Sequence, residues 1–150
     1  SGAILGLDCI RAVKDELESV TLVTTKNPRA LKGAKFFETS NIDPDRIEKS
    51  TIIFDGNAQD AVKLFPANIN VAALLSLAGL GSTKTKVRIV ADPKTDKNIH
   101  EIIAEGKFGK FLIKVENVPS SSNPKTSRLA ILSAIECLRA VCQQDIRVGT

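Results

Sequence analysis

The chain contains no methionine, tryptophan or tyrosine, only one histidine, and six phenylalanines in 150 residues. So few aromatic rings leave little from which to build a surface that stacks nucleic-acid bases. Charge argues against the same class. Twenty-one basic residues face 17 acidic ones, a net of +4, and the lysines and arginines are dispersed rather than gathered into the stripe that phosphate neutralisation needs. No nucleic-acid partner is expected. Long hydrophobic runs are missing too: the longest, residues 69–80, is about half of what a bilayer span requires, so no membrane partner is expected. The three cysteines, Cys9, Cys137 and Cys142, are an odd number at no metal-ligand spacing. This argues against a disulfide framework and a metal site, and for reduced thiols in a cytoplasmic setting. The chain opens on Ser1-Gly2-Ala3 without a methionine or a charged-then-apolar leader, and so reads as part of something longer.

What is present, 43% hydrophobic and 25% charged residues, is the composition of one globular domain. Apolar residues recur at helical spacing over 4–17, through Ile10, Val13 and Leu17. Residues 20–25 are rich in β-branched side chains and read as a strand stopped by Asn27-Pro28; residues 29–49 read as loop with one turn near Asp45 to Glu48. A strand over 51–54, a short helix over 58–64 and an apolar helix over 70–80 follow. Beyond Gly81 the period becomes two, giving a strand over 87–91 and a hairpin of strands 98–105 and 110–118 around Gly106-Lys107-Phe108-Gly109. A helix over about 126–141, with Ile131, Ile135, Leu138 and Cys142 as its core row, closes the order. Strands in hairpin succession with segregated helices predict an α+β fold: a mixed, mainly antiparallel sheet with helices packed on one side.

Phosphate-cradling and hydrolase signatures are absent. Gly79-Leu80-Gly81 opens a glycine pattern but follows a helix, and position 84 is Lys, so it reads as a helix stop. His100 is the single group that ordinarily titrates near neutrality. It shares a strand face with Ile102 and Ala104, and such a lone histidine admits both a packing and an acid/base reading. Asn70, at the start of the apolar helix, has the chemistry of an N-cap. Lys125, Thr126 and Ser127 stand at the start of the last helix, where ordinary capping competes with the binding of an anion such as a carboxylate. Together these residues suit a small amino or keto acid better than a polymer.

Several stretches then match a known family in order along nearly the whole chain: Ser1-Gly2-Ala3-Ile4 with Gly6-Leu7-Asp8, Ala61-Val62-Lys63-Leu64-Phe65-Pro66 leading to Asn68-Ile69-Asn70-Val71-Ala72-Ala73, Ala91-Asp92-Pro93, Asn98-Ile99-His100-Glu101-Ile102, and Glu116-Asn117-Val118-Pro119 through Asn123-Pro124-Lys125-Thr126-Ser127. On these residues the chain resembles the C-terminal, substrate and oligomerisation domain of the L-aspartate dehydrogenase family. The resemblance implies an enzyme that oxidises L-aspartate with NAD or NADP to iminoaspartate, which yields oxaloacetate and ammonia or feeds pyridine-nucleotide synthesis. It implies His100 as the catalytic histidine; with nothing in the sequence to perturb it, its imidazole is expected near the ordinary value of about 6.5. It also implies Ala3 and Asn70 as dinucleotide contacts. Residues 1–150 would form the C-terminal domain, with the N-terminal Rossmann half that holds most of the cofactor outside this chain, and the assembly would be a homodimer. The other reading is a stand-alone dimerisation or small-acid-binding module that keeps the fold without redox activity.

Overall fold

Five strands form one sheet in the order β2-β3-β1-β4-β5. They are β1 Leu17–Lys26, β2 Thr51–Asn57, β3 Lys86–Ala91, β4 Asn98–Gly106 and β5 Gly109–Asn117. The computed structural model describes residues 2–66, 69–121 and 126–142. Only β1 and β3 run parallel; the other three neighbouring pairs are antiparallel. The α+β expectation of a mixed, mainly antiparallel sheet holds.

Period-two patterning decides which face is buried. On β1 the buried residues are Leu17, Val20, Leu22, Thr24 and Lys26; on β4 they are Asn98, His100, Ile102 and Ala104. This face receives the helices α1 Leu7–Ala12, α4 Ala58–Leu64 and α5 Asn70–Ala78, whose Ile10, Ala58, Ala61, Val71, Ala72 and Leu75 join the strand residues in one apolar cluster. Phe65 anchors one end, packed against Phe36, Phe37 and Phe54.

The β4–β5 turn is tight because Gly106 pairs with Gly109 across Lys107-Phe108. A Cβ on Gly106 would run into the Glu16 carbonyl, so no side chain fits between this turn and the segment entering β1. Asn57 caps α4 by accepting from the Asp60 N–H at 2.9 Å.

Four elements depart from the sequence reading. The first helix stops at Ala12, and after a 3-10 turn, Lys14–Glu16, β1 already begins at Leu17, because Leu17 enters the core as a strand residue. Residues 29–49, expected to be loop with one turn near Asp45 to Glu48, have that turn as the 3-10 segment Pro44–Arg46 but also hold α3 Lys35–Thr39 and most of α2 Pro28–Leu31, which Asn27 caps with Pro28 in the first turn. Asn70 is not the cap of α5: Ile69 takes that position, with no side-chain cap bond. The last helix, α6 Arg128–Cys142, buries none of its residues, so Ile131, Ile135, Leu138 and Cys142 form an apolar row on the surface of this chain. Periodicity shows that a helix has an apolar face, not that the same chain covers it.

Candidate active site

The carboxyl end of β1, the amino end of β4 and the first turn of α5 meet around a cavity of about 190 Å³. The β1–β4 register sets His100 opposite Thr24 and Ile99 opposite Thr25, so the next inward pair is Lys26 beside Asn98. Four polar side chains thus occupy inward positions where the rest of both strands is apolar. All four are buried, His100 at 3% exposure and Lys26 and Asn98 at 4% each.

Thr24 Oγ1 lies 3.1 Å from His100 Nδ1, which fixes the imidazole plane and commits that nitrogen. Burial, and secondarily the charge of Lys26, pushes the imidazole down to about 4 from its ordinary 6.5. The expectation of a near-ordinary value is corrected: at neutral pH His100 is an uncharged base. Burial also lowers the Lys26 ammonium to about 8, which leaves it mostly charged at pH 7.

The sequence-predicted residues converge on this cavity. Ala3 lines it, held in place by the Asn117 side chain, whose Nδ2 donates to the Ala3 carbonyl at 2.9 Å. Asn70 lines it from the first turn of α5, with its side chain exposed rather than spent on a cap. Thr126 and Ser127 line it ahead of α6, and Ser127 is itself buried. Lys125 lies outside the described residues.

Thr24, Lys26 and Asn98 are additions that the sequence reading missed. A signal for Lys26 existed: it continues the inward row of Val20, Leu22 and Thr24, an anomalous place for a lysine. Among the described residues no cluster of His, Cys, Asp and Glu could hold a metal ion, and no helix is long and apolar enough to cross a membrane.

A family model described as "Aspartate dehydrogenase, C-terminal" matches residues 8–141, nearly the whole chain. The chain belongs to the aspartate dehydrogenase C-terminal family. Relatives that carry the name L-aspartate dehydrogenase come from Nitrosopumilus maritimus, 66% identical over 150 residues, and Methanococcoides burtonii, 52% identical over 151. Both matches cover all of this chain and 55% of the relative, so the chain spans about half the length of those aspartate dehydrogenases. The crystal structure of aspartate dehydrogenase from Thermotoga maritima superposes with a TM-score of 0.75 at 35% identity, over 98% of this chain and 54% of that one. The α+β sheet described above is therefore a fold that this chain shares with an aspartate dehydrogenase.

Proposed function

We propose that the chain forms the substrate-side wall of an NAD(P)-dependent L-aspartate dehydrogenase that converts L-aspartate to iminoaspartate, with His100 as its acid/base group. The observation that carries this reading is the imidazole itself: buried, oriented by Thr24, and set in a cavity with Ala3 and Asn70. As the amine of aspartate becomes an imine its nitrogen must lose a proton. With Nδ1 committed to Thr24, that proton goes to Nε2, and a histidine uncharged at neutral pH is ready to take it. Thr126 and Ser127, ahead of α6, offer hydroxyls and a helix start for a substrate carboxylate.

A cavity of about 190 Å³ has room for a four-carbon acid but not for a dinucleotide. The donor set at its mouth nevertheless fits the nicotinamide end of one. The Asn70 amide offers a donor and an acceptor to a carboxamide, and Ala3 brings a small side chain that lets a ring approach. Bound NAD or NADP would supply the hydride acceptor, held mainly by a nucleotide-binding half beyond these residues. The same reading assigns a cytoplasmic setting and a homodimer formed through the sheet.

The test joins residues 1–150 to the nucleotide-binding half of the Nitrosopumilus relative and follows NADH or NADPH formation from L-aspartate. His100→Ala is expected to lower kcat by about 10² to 10⁴. Turnover within about threefold of the parent would overturn the assignment.

A further inference from the structure

Lys26 and Asn98 have no part in the proton transfer described above, yet they are among the least exposed polar residues of the chain, at 4% each. Register sets them side by side, one position beyond the Thr24–His100 pair, on the same sheet face and lining the same cavity. No other described lysine is buried. The Asn98 side-chain NH₂ has no hydrogen-bond partner among the described residues. A buried donor left in that state costs about 1–3 kcal/mol, and because Asn98 lines the cavity its NH₂ is placed to take an acceptor that arrives there. None of the described residues lining the cavity is an aspartate or glutamate. An ammonium, an amide NH₂ and the hydroxyls of Thr126 and Ser127 therefore face a space that suits a small anion.

We infer that Lys26 and Asn98 form the anchor for one carboxylate of the substrate, and that this anchor makes the site select a dicarboxylic amino acid over its amides. The inference rests on the dehydrogenase reading and deepens it. Lys26 supplies the charge and Asn98 a directed N–H, so one carboxylate oxygen pair is held next to His100 while Thr126 and Ser127 remain for the other carboxylate. The anchored anion also screens the imidazole from the Lys26 charge, which makes His100 a stronger base once substrate is in place.

Two substitutions test the anchor in the joined enzyme. Lys26→Met keeps the stem and volume and removes a buried charge, a change that does not threaten folding; Lys26→Arg restores the charge. For Lys26→Met the KM for L-aspartate is expected to rise about 10- to 100-fold with kcat changed far less, the scale of one charged hydrogen bond. Its preference for L-aspartate over an amide should fall by a similar factor, and Lys26→Arg should retain that preference. L-Asparagine and L-aspartic acid α-amide are assayed side by side. The analogue against which discrimination collapses lacks the carboxylate that Lys26 holds. Unchanged discrimination against both would overturn the inference. A parent that never oxidises aspartate would instead sink the dehydrogenase reading. In that event calorimetric titration of the 150-residue chain with succinate decides the anchor: binding weakened at least tenfold by Lys26→Met supports it, and equal affinity refutes it.

Discussion

Across the β1–β4 ladder, Thr24 Oγ1 stands 3.1 Å from Nδ1 of His100, with both side chains buried. Thr24→Val preserves the shape of the hydroxyl residue while leaving the ring nitrogen without its partner. The expected cost is about 1–3 kcal/mol in urea denaturation of the chain. In the joined enzyme kcat should fall about tenfold or more with a small change in KM, because the ring loses its orientation while the substrate contacts survive.

The same imidazole should make stability depend on acid. Burial first and the Lys26 charge second hold it down to about 4, against 6.5 in the unfolded chain. As the pH falls, the unfolded chain therefore takes up the proton first. His100 contributes its full share above about pH 6.5 and loses it progressively toward pH 4, by as much as about 3 kcal/mol. Urea midpoints at pH 7.5, 5.5 and 4.5 measure the loss. His100 is the only histidine, so one imidazole proton resonance of the 150-residue chain reports the titration directly. A midpoint at 6 or above would contradict a dry, positively charged site.

His100 was legible because it is unique and sits in the alternating run of Asn98, His100, Ile102 and Ala104, where the period fixes the inward face. Its basicity was not legible. Burial and the approach of Lys26 are properties of the β1–β4 register, which pairs residues 76 positions apart at Thr24 and His100. Lys26 itself escaped because the β-branched run ends at Thr25, while the strand continues one residue further to place the ammonium indoors. The hairpin was read almost to the residue, since its signals are local glycines and alternation. The opening helix was overextended because Leu17 fits a helical period as well as it fits the start of a strand.

Gly106→Ala should damage the fold more than a surface glycine would. The added methyl meets the Glu16 carbonyl and lies close to the Glu18 nitrogen, both of them backbone atoms that cannot rotate away. The Lys107 N–H to Glu16 carbonyl bond, 3.0 Å in this structure, would be pushed apart with them. A loss of about 2–4 kcal/mol is expected by chemical denaturation, in the range of overpacking combined with a broken backbone bond. Gly33→Ala is the control in kind: a Cβ there meets nothing, and the substitution strains only its own positive φ of 79°.

The sheet face opposite the helices should carry the self-association. Its residues alternate with the buried ones: Val23 and Thr21 on β1, Val90 on β3, Ile99 and Ile103 on β4, and Leu112 on β5. All are partly or fully exposed, Leu112 at 59%, while the neighbours on the other face of β1, β3 and β4 are close to zero and those on β5 are half-buried. Arg88, Glu101 and Lys114 stand in one row with Val23 across this face, between an upper row of Val90, Thr25 and Ile99 and a lower row of Thr21, Ile103 and Leu112, so apolar and charged rows alternate and the charges can pair across a two-fold. A mixed sheet of this kind leaves one face for water or for a partner, and apolar rows flanking a row of both charge signs suit a second copy related by a two-fold axis. Sedimentation equilibrium at micromolar concentration is expected to give about twice the 16.1 kDa chain mass. Ile103→Lys, between Thr21 and Leu112 in the lower apolar row, should return the monomer mass with an unchanged circular dichroism spectrum, since its side chain lies outside the buried cluster. A parent chain that sediments at 16.1 kDa would show that the sheet face meets water.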